Sequence, residues 1–311
     1  MKRSHLREAM HLRIPKEKQI RVIVDSDVRN EADDPFAIAH FLLTPVFDIR
    51  GIIAAHHESK ALIKETTMMK NYEELKKLMD ASNLEDVPIF KGCTRPLADE
   101  HEAIESEGCD FIITEAKKDD ERPLYIAVFG TMTDIASAIN KAHEIAEKKT
   151  VVFTGGQSYP KGGPDFNFAQ DIRAVRCLFS SEANVWQIPL QVYSLMSVTM
   201  AELAYKVRPQ GKFGKYLYEQ IEEYNLHNDD APGLRRGENW SLGDSPTVGA
   251  LLETEWRGNF HYEKAPYIND DMTYSPSSSS KEIRVYDSID TRMILEDFYA
   301  KLALYAASES D

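Results

Sequence analysis

Residues 25–43 read DSDVRNEADDPFAIAHFLL. Five carboxylates, Asp25, Asp27, Glu31, Asp33 and Asp34, fall within ten positions directly after an apolar run. Like charges this close raise one another's cost unless something sits between them. On an extended strand Asp25 and Asp27 project to one side, because side chains alternate. Asp33 and Asp34 open a helix-like segment, where the peptide dipole favours negative charge by roughly 0.3–1 kcal/mol. That is too little to hold several carboxylates in contact. A hard divalent cation does it, since Ca²⁺ gathers oxygen ligands, carboxylates among them. The alternative is an acidic turn at a helix start, capped in solvent, and spacing leaves both open.

The rest of the chain narrows the setting. It has 311 residues, 42% hydrophobic and 28% charged, the balance of a globular and not a disordered chain. Lys and Arg number 37 against 51 Asp and Glu, a formal net charge of −14. That argues against a nucleic-acid surface, which needs clustered cations to displace counterions. A small neutral ligand meets no such obstacle. Cys93, Cys109 and Cys177 show neither metal-ligand spacing nor a disulfide framework, which suits a reducing, cytoplasmic setting. They are not expected to act as nucleophiles. The start, MKRSHLREAMHLRIPKEKQ, lacks the apolar core of a secretory signal, and no apolar run reaches membrane-span length.

The elements that must position the carboxylates alternate. Strands are expected at 20–25, 47–55, 87–90, 123–130, 150–156 and 184–193. Helices are expected at 34–43, 61–81, 107–118, 133–148 and 171–181, the first with Pro35 in its opening turn. Strands joined by crossover helices make a mostly parallel central sheet with helices on both faces. The chain reads as one domain over 1–311, with an N-terminal arm at 1–18 and a less regular part at 253–311. In such sheets ligands bind beyond the carboxyl ends of the strands. Asp25 and Asp27, GTMTD (130–134) and GGQSYPKGGPDFN (155–167) all fall at such ends.

Four stretches carry a resemblance. DSDVRNEADDPFAIAHFLL resembles the N-terminal signature of the inosine-uridine-preferring nucleoside hydrolases, whose core reads DxDxGxDDAxA. GTMTDIASAI (130–139) is similar to the family's G-x-L-T-N-I-A stretch. GGPDFNFAQDIRAV (162–175) is similar to E-F-N-x-x-x-D-P-E-A-A, and LGDSPTVGALL (242–252) to H-D-P-x-A-x-x-x-L. They run in order from about Ile20 to Leu252, and the remainder matches loosely.

The resemblance implies a Rossmann-like nucleoside hydrolase fold. It implies Ca²⁺-dependent hydrolysis of the N-glycosidic bond of a ribonucleoside or modified nucleoside, by a homodimer or homotetramer. By the same resemblance Asp27 and Asp34 ligate Ca²⁺, with the main-chain carbonyl of Thr133 and the carboxylate of Asp244. Asp33 binds a ribose hydroxyl and the nucleophilic water, and Asn167 and Asp244 hold the ribose from the other side. Asp27 doubles as general base, and Asp25 buttresses the loop. The chemistry suits carboxylates, because N-glycosidic cleavage passes through an oxocarbenium-like cation.

The departures are specific. Two extra residues lie between Asp27 and Asp33, which brings Glu31 toward the site. Asp165 stands where the family carries Glu, and Gly243 where it carries His. The 5′-hydroxyl contact and the leaving-group acid are therefore the roles in question. His56, His57 and Glu58 follow the second strand and face the same cleft, and His56 and His57 are candidates for the proton donor. Phe166 and Trp240 adjoin motif residues and are candidates to stack on a base, with Tyr159 beyond them. Arg235, Arg236 and Glu238 lie in an irregular segment that can cover the cleft. Two readings follow: a Ca²⁺-dependent N-ribosyl hydrolase, or a non-catalytic or retasked relative that binds a ribosyl or other sugar ligand.

Overall fold

The computed structural model describes residues 1–57, 67–227, 237–253 and 259–309. The strands are β1 (Ile20–Ser26), β2 (Phe47–Ala54), β3 (Ile89–Lys91), β4 (Leu124–Val128), β5 (Thr150–Thr154) and β6 (Asn184–Ile188), then β7 (Ser197–Thr199), β8 (Asn239–Ser241), β9 (Phe260–Lys264), β10 (Tyr267–Ile268), β11 (Tyr274–Ser275) and β12 (Glu282–Tyr286). The helices are α1 (Leu6–Ala9), α2 (Asp34–Leu43), α3 (Thr67–Ser82), α4 (Glu107–Ala116), α5 (Thr133–Lys141) and α6 (Phe166–Gln170), then α7 (Ile172–Ser180), α8 (Leu190–Tyr193), α9 (Met200–Lys206), α10 (Gly211–His227), α11 (Pro246–Leu252) and α12 (Thr291–Ser308).

One eight-stranded sheet dominates, in the order β3-β2-β1-β4-β5-β6-β12-β9. Its pairings are parallel except that of β12 with edge strand β9. Both faces are covered, as strands with apolar residues on both sides require. In β1, Val22 and Val24 enter one hydrophobic cluster while Ile23 enters another on the opposite face. Helix α2 is buried along its whole length and packs against α12. The chain leaves β1 toward β2 and β3, then returns to place β4 on the other side of β1. That reversal opens a crevice at the carboxyl ends of β1 and β4, where ligands bind in folds of this kind.

Three expected elements differ at their ends. The strand expected to reach residue 193 stops at Ile188, because Pro189 has no N–H for the ladder, and residues 190–193 form a helical turn instead. The helix expected over 133–148 ends at Lys141. Ala142 leaves the helical region (φ −146°, ψ 75°), and His143–Lys148 continues as a 3₁₀ turn. The helix expected from 61 is seen from Thr67; residues 61–66 lie outside the described residues, as do Glu58, Arg235 and Arg236. No helix among the described residues is long and apolar enough to cross a membrane.

Candidate active site

The carboxylates converge as buried groups. Asp33 takes the N-cap position of α2, yet its side chain makes no capping bond, and its backbone carbonyl accepts from Phe36 N–H at 2.9 Å. Asp34 follows as the first helical residue. Ser26 Oγ donates to its Oδ1 at 2.5 Å. Asp244 enters from the turn before α11, where Thr154 Oγ1 donates to its Oδ1 at 3.2 Å. Asp33, Asp34 and Asp244 bring one carboxylate oxygen each to within 4.8 Å of one another. Burial, and after it the neighbouring charges, push Asp34 and Asp244 well above the usual carboxylate range. Such a trio needs a shared proton or a cation. An all-oxygen, triply acidic donor set fits a hard divalent ion.

Asp27 stands beside the trio. Asn30 Nδ2 and Gln170 Nε2 both donate to its Oδ2, at 3.0 and 3.2 Å. A Cβ on Gly130 would lie 2.7 Å from its Oδ1, so a glycine after β4 gives the carboxylate its room. Burial, then the charge on Glu31, push Asp27 up to about 8, against the opposing pull of the Asn30 bond. Asn30 lies within the lengthened loop between Asp27 and Asp33. Helix α10 holds that loop from outside: Gln220 Nε2 donates to the Ala32 carbonyl at 2.9 Å, and Tyr224 Oη to that of Asn30 at 3.2 Å. From α3, Glu74 pairs with Arg29 at 3.0 Å.

Asp25, expected to buttress the loop, makes no side-chain hydrogen bond to it. Both its oxygens are buried without a hydrogen-bond partner among the described residues, so it ties down no loop through its side chain. Burial, then Asp134 and Asp27, push it well above its ordinary range. Asp134 is anchored by Cys93 N–H at 2.9 Å and Ser106 Oγ at 2.8 Å. The three cysteines are buried free thiols, and burial pushes Cys109 up to about 12 and Cys177 to about 11.

Thr133 opens α5 and is fully buried. Its hydroxyl donates to Asp171 Oδ2 at 2.7 Å and lies 2.8 Å from His56 Nε2. Asp171, given no task from sequence, also accepts from Leu97 N–H and caps α7 through Ala174 N–H. His56 is buried, and burial followed by the charge on His57 pushes it down to about 3, so its imidazole is neutral at neutral pH. His57 Nδ1 lies 3.2 Å from Asn71 Nδ2, an acceptor position that leaves the ring proton on Nε2. His57 also lines a cavity of about 570 Å³ between α3 and α10, together with Val28, Arg29, Asn30 and Glu31.

The opposite wall comes from the loop after β5. Asn167 Nδ2 donates to the Thr154 carbonyl at 2.8 Å, and Asp165 caps α6 through Phe168 N–H at 3.0 Å. Phe166 is 65% exposed on the first turn of α6. Trp240 is 4% exposed and packs edge-on to Tyr224 within the core. Tyr159 is half-buried, with its hydroxyl on Gln187 and its ring against Tyr274. Sequence reasoning missed Asn30, Gln170 and Tyr193. Tyr193 donates from its hydroxyl to Asp165 Oδ2 at 2.9 Å.

Comparison with known proteins gives the family and the fold. The inosine-uridine preferring nucleoside hydrolase family profile matches residues 22–296. A plant nucleoside hydrolase superposes with a TM-score of 0.72 at 18% identity, over 93% of this chain and 99% of that one. A purine-preferring ribonucleoside hydrolase from Gardnerella vaginalis does so with a TM-score of 0.71 at 21% identity, over 92% and 99%. The type III effector protein XopQ, solved with adenosine diphosphate ribose, superposes at 0.64 with 15% identity, over 99% and 97%. A Schizosaccharomyces pombe protein of uncharacterized activity is 22% identical over 212 residues, 60% of this chain and 66% of that protein's length. With its carboxylates gathered at the switch point of a parallel sheet, the chain belongs to the nucleoside hydrolases, N-ribosyl hydrolases of the inosine-uridine preferring family.

Proposed function

We propose that this chain hydrolyses the N-glycosidic bond of a ribonucleoside or modified nucleoside in a Ca²⁺-dependent reaction, giving ribose and free base. The convergence of Asp33, Asp34 and Asp244 beside Asp27 carries the reading. Asp34 and Asp244 would hold the cation with Asp33, the third carboxylate of the close group, and we assign Asp27 and the Thr133 carbonyl as the further donors. When bound, a hard dication lowers the pKa of a coordinated water.

The remaining work falls to the protein. Asp27, its Oδ2 held by Asn30 and Gln170, takes the proton of the attacking water as general base. Asp33 and Asp244 accept from ribose hydroxyls, and Asn167 approaches the sugar from the other wall. The cluster's negative charge stabilises the oxocarbenium-like sugar as the bond breaks. His57, in its imidazolium form, is the donor to the departing base. His56 acts through Thr133, orienting the loop after β4. The protein works in the cytoplasm as a homodimer or homotetramer.

A second reading, a retasked ribosyl-binding relative, draws on two observations. The loop after β1 is two residues longer than the family signature. XopQ, of the same fold, was solved with adenosine diphosphate ribose. A nucleoside panel separates the readings when incubated with Ca²⁺ and assayed for free ribose, with calorimetric binding in parallel. Ribose release supports the hydrolase. Tight binding of a nucleoside without any release supports the binding protein.

A further inference from the structure

Tyr193 lies between the turn that carries Gly243 and Asp165. Pro189 stops β6, and the helical turn of α8 carries Tyr193 over the carboxyl ends of the strands. The ring's Cδ2 lies 3.2 Å from the point a Cβ on Gly243 would occupy, and Asp33 Oδ2 lies 3.3 Å from that same point. At its other end the hydroxyl donates to Asp165 Oδ2 at 2.9 Å. The side chain therefore spans the distance from the three-carboxylate corner to Asp165. Burial, then the charge on Asp165, push the phenol above its ordinary range, so it stays a donor. The second oxygen of Asp165 accepts from Phe168 N–H. Both carboxylate oxygens are thus engaged by donors of the protein itself.

A furanoside has its two vicinal hydroxyls at one side of the ring and its C5 substituent near the other. Hydroxyl donors go to clustered acceptors, so the vicinal pair belongs at the Asp33, Asp34 and Asp244 corner. The C5 substituent then reaches toward Asp165, a tyrosine's length away. We propose that Tyr193 is a specificity-determining residue: its hydroxyl occupies on Asp165 the place of a C5 hydroxyl, so the site takes ribosyl groups without selecting for that hydroxyl. The inference rests on the reading of the cup as a ribosyl site.

The probes are methyl β-D-ribofuranoside and its 5-deoxy analogue, which are locked as furanosides, titrated calorimetrically in Ca²⁺ buffer. The parent is expected to bind the two within about twofold of each other. Tyr193→Phe keeps the ring and frees the acceptor. It is expected to bind the hydroxylated sugar about tenfold more tightly than the deoxy one, the gain of a hydrogen bond to a charged group. Adding Asp165→Asn, which still caps α6, is expected to abolish most of that preference. A parent that already prefers the hydroxyl tenfold, with the preference lost in Tyr193→Phe, overturns the inference, because Tyr193 then recognises the hydroxyl directly. Equal binding of both sugars by Tyr193→Phe overturns it as well. Binding of neither sugar overturns it together with the ribosyl-site reading. The expected pattern without nucleoside turnover upholds it and removes only the hydrolase reading.

Discussion

Gln170 and Asp27 meet across 143 positions of chain, with the amide of one on the carboxylate of the other at 3.2 Å. Both are buried, and Asn30 donates to the same oxygen. Two neutral donors on one oxygen fix the carboxylate's rotation and leave the other oxygen, against Gly130, for chemistry. Gln170→Leu is therefore expected to lower kcat about tenfold with KM little changed, the usual worth of a hydrogen bond to a charged acceptor. Steady-state kinetics on a cleaved nucleoside checks this. A raised KM with kcat intact would show that Gln170 serves binding instead.

Asp27→Ala removes the proposed base. General base catalysis is worth about 10²–10⁴-fold, so turnover is expected to fall by at least that much while the fold persists. Circular dichroism and ribose release, measured on one preparation, check both halves. Near-parental turnover would take the base role from Asp27.

The buried carboxylates give the cation-free protein an inverted pH response. Asp27 is pushed up to about 8, and Asp34 and Asp244 are also raised. Between the unfolded and folded values the native state holds more protons than the unfolded chain. Stability therefore falls as pH rises through that window. Chelator-treated protein is expected to melt at lower temperature near pH ~8 than near pH ~5, and Ca²⁺ is expected to remove most of the difference by binding the native state. A melting temperature indifferent to pH and Ca²⁺ would speak against a cation site.

The two histidines should part company. Nitrophenyl riboside has a leaving group that needs little proton help. His57→Ala is expected to slow natural nucleosides and spare nitrophenyl riboside. His56→Ala is expected to slow both, since His56 lies on the Thr133 hydroxyl and is neutral. If His57→Ala cleaves natural nucleosides at the parental rate, the proton comes from elsewhere.

Much of this was legible in the chain. The apolar run before Asp25 and the helical spacing after Asp33 marked β1 and α2, because burial on both faces and an apolar stripe leave plain patterns. The acidic spacing pointed to a cup. Its composition was harder to read, since Asp33 joins the closest trio through a turn that spacing does not describe. Tyr193 was hidden by a strand expected to run through it, and Pro189 was the signal that it did not. Gln170 ends the apolar FNFAQ turn, and a buried amide there asks for a partner; that the partner is Asp27 is a long-range fact no local pattern carries. Trp240 adjoins a motif, which makes it a candidate to stack on a base, but it lies in the core against Tyr224.

The most direct measurement is a Ca²⁺ titration of chelator-stripped protein, followed as ribose released from a nucleoside panel. Release is expected to be absent from the stripped protein and to rise to saturation at one ion per chain. It should be lost again in Asp34→Ala and Asp244→Ala. Ribose release that survives stripping, or no release from any nucleoside at saturating Ca²⁺, would contradict a cation-dependent N-ribosyl hydrolase built on these carboxylates.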